Sequence, residues 1–299
     1  MYKDQIIQIA NIVSSHYQYV NTPGLLHGTL GIALFYYHYA RFMSMALLED
    51  TANELLKISM DEMKKTISKS FADGIYGFGW CLKKLIDNKY IEEDMDVLAL
   101  FHTLSHQTYT EKDLYFEQMI NPTLCSKSII DSITPDENSM KRLKKQLDSL
   151  LISKIEIHKM PFWISLAYCL AKHTVISDKS QDFMNCEKII EERLNICLQN
   201  GNYTSHDIYA LNSIKNNTKL FENVNLKSLK INFSILNDMY MNWQTIIYDD
   251  VIRIEDEISA KEINNYLNAL KLNTQSEDLS IDGICGLGIN LIRKSKVLT

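Results

Sequence analysis

Three stretches of this chain can be laid over one another, and each heads an apolar run long enough for a helix: His27-Gly28-Thr29-Leu30-Gly31-Ile32-Ala33, Asp73-Gly74-Ile75-Tyr76-Gly77-Phe78-Gly79 and Asp282-Gly283-Ile284-Cys285-Gly286-Leu287-Gly288. In each, His or Asp precedes G-x-x-G, and an apolar and then a small residue follow. Glycines one helical turn apart strip the first turn of Cβ atoms, so a neighbouring backbone can press against it. His27, Asp73 and Asp282 stand where a helix is capped, and capping is their first reading; facing a bound peptide is the second. Helices with such heads belong to an inner set.

The first glycines fall at 28, 74 and 283, and the 255 residues between the outermost divide into six steps of about 42.5. A fixed period marks stacked supersecondary units, so seven helical hairpins are expected, four of them with degenerate motifs. Ahead of the first two motifs lie more polar amphipathic stretches, residues 4–19 and 50–68, suited to an outer layer with one face in water. Elsewhere apolar residues recur three and four apart, as in Ala52, Leu55, Leu56, Met60 and Met63. With four prolines and ten glycines in 299 residues, the expected fold class is all-α. Only residues 230–235 alternate briefly as a strand would, and that piece is ambiguous.

A chain that is 46% hydrophobic can bury a large core at this length. Its formal charge of −6 gives no electrostatic reason to expect nucleic acid or an anionic membrane as partner. Charges near the start stand where a secretory signal needs an apolar core, and the longest apolar stretch, residues 31–37, is too short to span a bilayer. A soluble cytoplasmic protein is expected. Cys81, Cys125, Cys169, Cys186, Cys197 and Cys285 lack C-x-x-C spacing, and read as reduced, mostly buried thiols.

The motifs GLLHGTLGIALFYYHYAR, ADGIYGFGWCLKKLI and IDGICGLGINLIRK resemble those of the lanthionine synthetase C-like family, and they stand at both ends of the chain. The resemblance implies one domain over residues 1–299, an α/α toroid of about seven inner and outer helix pairs. It also implies a zinc ion held by two cysteines and a histidine. In family enzymes the zinc binds a precursor-peptide cysteine as thiolate, which adds to a dehydrated residue to close a thioether ring. Metal is needed because a free thiol, with a pKa of about 8.5, is mostly protonated at neutral pH. A histidine or another acid then protonates the enolate.

The zinc-bearing motifs are altered here. Where the family has C-H-G-x-x-G, the matching register is Ser205-His206-Asp207-Ile208-Tyr209-Ala210; where it has C-x-G-x-P-G, the match is Ile157-His158-Lys159-Met160-Pro161-Phe162. A hydroxyl and an isoleucine cannot replace two thiolates, so no metal site and no cofactor are expected. His206 reads as a remnant ligand or general acid, or as a helix-start histidine satisfied locally, the reading we favour. His158 and Ser205 would contact substrate, and Asp113 stands loosely where the family has an acidic residue in the third hairpin.

Other constellations have ordinary readings. His102 and His106 share a helix face but lack the glutamate of a zinc-protease motif. Asp249-Asp250 and Glu255-Asp256-Glu257 do not form D-D-x-x-D and read as a charged face. Cys186 and Cys197 share one face as core thiols. Tyr36, Tyr37, Tyr39, Trp80 and Trp163 suit either a peptide groove or packing of inner helices. The expected function is binding of a cysteine-containing precursor in lanthipeptide-type maturation without zinc, with a dehydratase or other maturation enzyme as partner. An active thioether cyclase, an unrelated α/α-toroid hydrolase with paired carboxylates, and a helical interaction scaffold are the alternatives.

Overall fold

Helices begin where the glycine motifs place them. The computed structural model describes residues 2–65, 70–92, 139–152, 160–173, 180–226, 246–247, 259–273 and 279–297. Its helices are α1 (Lys3–His16), continued by a 3-10 turn at Tyr17–Tyr19, α2 (Thr29–Met43), α3 (Ala46–Met63), α4 (Ile75–Asp87), α5 (Ser139–Ile152), α6 (Met160–His173), α7 (Gln181–Gln199), α8 (Ser205–Thr218), α9 (Ala260–Asn273) and α10 (Ile284–Val297). No strand occurs among the described residues, in keeping with the all-α expectation. Residues 230–235 lie outside them.

The chain divides into two compact units, one of Met1–Thr108, Ser234–Ile247 and Ile254–Thr299, the other of Tyr109–Phe233 and Tyr248–Arg253. In the first, helices buried on nearly all sides alternate with helices buried on one stripe; in the second, α6 is buried on nearly all sides, whereas α7 and α8 are each exposed on one side. In the first unit, α2 is buried continuously from Thr29 to Ala40, and α10 from Ile284 to Ile292. By contrast, α1 buries Ile6, Ile9, Ala10 and Val13, and α3 buries Ala52, Leu55, Ser59 and Met63, a spacing that puts each set on one face. In the second unit, α6 is buried from Phe162 to Ala171, whereas α7 buries Phe183, Cys186, Ile190, Leu194 and Cys197. Each fully buried large apolar side chain contributes about 1.5–3 kcal/mol, so the all-round helices hold most of each core.

Two boundaries differ from the sequence reading. The stretch expected at 4–19 is α1 plus its 3-10 turn, and the one at 50–68 starts earlier and stops earlier, as α3. Ser44 ends α2 in the left-handed conformation (φ 56°), and the chain turns directly into α3.

Within the first unit α2 packs against α3, α4 and α10, and α1 packs against α9 and α10. The helix of the last motif thus lies beside that of the first. Arg41 near the end of α2 donates to the carbonyls of Asn88 (2.8 Å) and Lys89 (2.8 Å) and lies 3.6 Å over the Tyr90 ring. That cation closes the carbonyl end of α4, where Lys89 leaves the helix with φ 55°.

The motif glycines let these helices meet. A Cβ on Gly31 would run into the Leu25 carbonyl oxygen and the Ser280 hydroxyl, one on Gly77 into the Phe71 carbonyl, and one on Gly288 into the Phe35 ring. Gly201, just beyond α7, is the contrast: its φ is +70° and nothing lies within 4 Å of its Cβ position. Gly31→Ala is therefore expected to cost about 3 kcal/mol in urea unfolding through backbone collision, and Gly201→Ala only about 1 kcal/mol through its dihedral. Equal costs would contradict the close approach.

Candidate functional site

The three motif heads meet through their backbones. The amides of Leu25 and Leu26 both donate to the carbonyl of Ala72 (2.8 Å each), and the amide of Asp282 donates to the carbonyl of Leu26 (3.1 Å). Ser280, fully buried, shares its hydroxyl proton between the carbonyls of Leu25 (3.1 Å) and Gly28 (2.9 Å). Ser70 accepts from the amides of Ala72 (3.0 Å) and Asp73 (3.4 Å) and shapes the second loop. Gly24 is required because a Cβ there would overlap the backbone of Asp73, with Asp73 Cα only 2.7 Å away.

This contact brings His27, Asp73 and Asp282 together. The Nδ1 of His27 donates to Asp73 Oδ2 at 2.9 Å, with Oδ1 at 3.2 Å, and its Nε2 faces Asp282 Oδ2 at 3.4 Å. Capping, the first reading of these residues, is corrected for His27 and Asp73. The N-caps of α2 and α4 are Gly28 and Gly74, in extended conformation and with no side-chain capping bond. The side chains ahead of them are drawn to each other because His and Asp carry opposite charge at equivalent positions of adjacent motifs.

The electrostatics fix the charge of His27. The carboxylates of Asp282 and Asp73 outweigh burial and raise its pKa to about 10, so at neutral pH it is an imidazolium whose two nitrogens face the two carboxylates. Asp282 behaves differently. Its side chain is only 13% exposed, against 38% for Asp73, and burial raises its pKa despite the His27 charge. Asp282 Oδ1 is buried with no hydrogen-bond partner among the described residues. The cluster therefore combines one fixed cation, one half-exposed carboxylate and one reluctant carboxylate at the heads of the motif helices. Ser280 and Gly24, which hold it together, went unrecognised in the sequence because neither belongs to the G-x-x-G pattern.

Further candidates stand on α8, in the second unit. α8 begins at Ser205, but its N-cap is Thr204, which forms a capping box with Asp207: the Asp207 amide donates to Thr204 Oγ1 (3.2 Å) and the Thr204 amide to Asp207 Oδ2 (2.8 Å). The register that equated Asp207 with a motif glycine is thus corrected. Aligned on helix starts, Thr204 matches Gly28 and Gly74, three residues earlier, because a threonine hydroxyl supplies the cap a glycine lacks. His206 lies in the first turn of α8. His158, Asp113, His102, His106, Cys125, Asp249, Asp250 and residues 255–257 lie outside the described residues. Tyr36, Tyr37, Tyr39, Trp80 and Trp163 are buried, as are Cys81, Cys169, Cys186, Cys197 and Cys285. The Tyr36 hydroxyl pairs with Ser14 (2.7 Å), and that of Tyr37 donates to Asn53 (2.6 Å), so these rings pack the core and satisfy their polar ends. Among the described residues no group of three or more His, Cys, Asp or Glu side chains is placed to hold a metal ion, and no helix is long and apolar enough to cross a membrane.

His27→Ala leaves Asp282 buried beside Asp73 with no cation. The expected loss is about 2 kcal/mol, below the ~3–5 typical of a fully buried pair because His27 is 36% exposed. Asp282→Asn in the same background should restore at least about half of it, since the added defect is an uncompensated charge. The folded pKa of His27 lies above its unfolded value of 6.5, so its contribution is complete below that pH and is lost as pH rises through about 10. Urea unfolding of wild type and His27→Ala across that range should show the two curves converging.

In comparison with known proteins, the chain matches no protein-family model, no curated protein and no solved structure.

Proposed function

We propose that the chain is a divergent lanthionine synthetase C-like protein, a single α/α toroid of about seven inner and outer helix pairs. In this reading it binds a cysteine-containing precursor in lanthipeptide-type peptide maturation, in the cytoplasm and beside a dehydratase or other maturation enzyme. The observation that carries the reading is the place of α2, packed against the helices of both the second and the last motif. Adjacent first and last repeats are what a closed ring of repeats requires. The alternation of striped and fully buried helices in the first unit supports the same reading.

The family's zinc does not fit the residues at the matching positions. With Thr204 at the glycine's place, Asn202 and Tyr203 take the positions of the family's cysteine and histidine, Ile157 offers no donor, and the cysteines at 81, 169, 186, 197 and 285 are buried within helices. Binding, rather than cyclisation, is the activity proposed. At the motif junction, both carboxylates are committed to His27, which is unlike the pair of independent carboxyl groups that glycoside hydrolysis needs.

The test is fluorescence anisotropy with a labelled peptide containing cysteine and dehydroalanine, with and without chelator, followed by thiol alkylation and mass measurement. Cyclisation leaves peptide mass unchanged, so the alkylated thiol is the readout. The expected result is binding with Kd near or below about 10 µM, insensitive to chelator, with the thiol retained. Thiol loss would make the protein a cyclase, and no binding up to about 1 mM would remove the peptide reading.

A further inference from the structure

Asp282 is the outlier of the motif junction. It sits on the loop that leads into α10, the helix that closes the first unit onto α1 and α2. One of its oxygens is buried without a partner among the described residues, and the other reaches His27 only at 3.4 Å, whereas Asp73 is bound at 2.9 Å and is three times as exposed. A carboxylate so placed loses most of its hydration and recovers little of it, which favours the protonated form. The charged groups that act on it come one from each neighbouring motif, His27 from the first and Asp73 from the second. The nearby start of α2, Thr29-Leu30-Gly31, contributes no titratable group.

We propose that the contact between the last motif and the first is a proton-sensitive latch, with Asp282 as the group that takes up the proton when the last motif closes. Closed, Asp282 is largely buried against His27, which stands between it and Asp73. Released, it would be hydrated like any exposed aspartate. The closed form holds the proton more firmly, so closure gains as pH falls from neutrality toward the ordinary carboxylate range, and the gain levels off once the released form is protonated too. Above neutrality the latch depends on His27 alone to offset two carboxylates. The device links proton uptake to the integrity of the junction and rests on that geometry, not on what the protein binds.

The direction is opposite to that of a salt-bridged surface aspartate, whose contact weakens in acid, and this makes the proposal testable. Hydrogen exchange of the full-length protein, corrected for intrinsic rates, should show amides of residues 279–287 becoming about threefold or more better protected between pH 7.5 and 4.5. In Asp282→Asn that pH response should fall below about 1.5-fold, while Asp73→Asn should retain it. Equal responses in wild type and Asp282→Asn, or protection that falls with acid in wild type, would overturn the latch. A second readout needs no variant: the Asp282 carboxyl carbon, followed by NMR in wild type, should titrate above the other aspartates. A midpoint at the ordinary aspartate value would also overturn it.

Discussion

Close approach of backbone to backbone at the helix entries is the constraint on which the described first unit depends. Leu25 and Leu26 share the Ala72 carbonyl, Asp282 reaches Leu26, and Ser280 reaches Leu25 and Gly28. Each of these distances exists because a side chain is missing at Gly24, Gly28, Gly31 or Gly77. Hydrogen-bond strength alone would not select this arrangement, since each bond contributes only about 1 kcal/mol net. Selection comes from geometry: once the loops interlock, α2, α4 and α10 have little freedom in how they start, and the apolar surfaces behind the motifs must pack in that register.

The charge cluster is a consequence of that interlock. Three loops that touch through their backbones carry their motif-leading side chains into one place, whatever those residues are. With three aspartates the junction would be self-repelling; with His27 at the first head it holds a cation between two anions. The arrangement is unequal. Asp73 keeps access to water, and Asp282 keeps little. Asymmetry of this kind gives a cluster a titration behaviour that its composition alone does not predict.

Much of this was legible in the sequence. Helix starts at Gly28 and Gly74 followed from the repeat, and the one-sided burial of α1 and α3 followed from the spacing of their apolar residues. The role of His27 and Asp73 did not, because capping and cross-motif pairing place the same residue types at the same position, and only the neighbouring loop decides between them. Ser280 was invisible for a related reason: its partners lie 252 and 255 residues away in the chain. At α8 the motif register failed by three residues, since a Thr204–Asp207 capping box starts a helix without any glycine.

The most direct test of the junction is the nitrogen-15 titration of His27. One ring nitrogen donates to Asp73 and the other faces Asp282 across an ion pair, so His27 should show the imidazolium signature, with both nitrogens protonated, through about pH 9 and lose it only near pH 10. A neutral tautomer appearing with a midpoint near the ordinary value of 6.5 would contradict the meeting of the three motif heads.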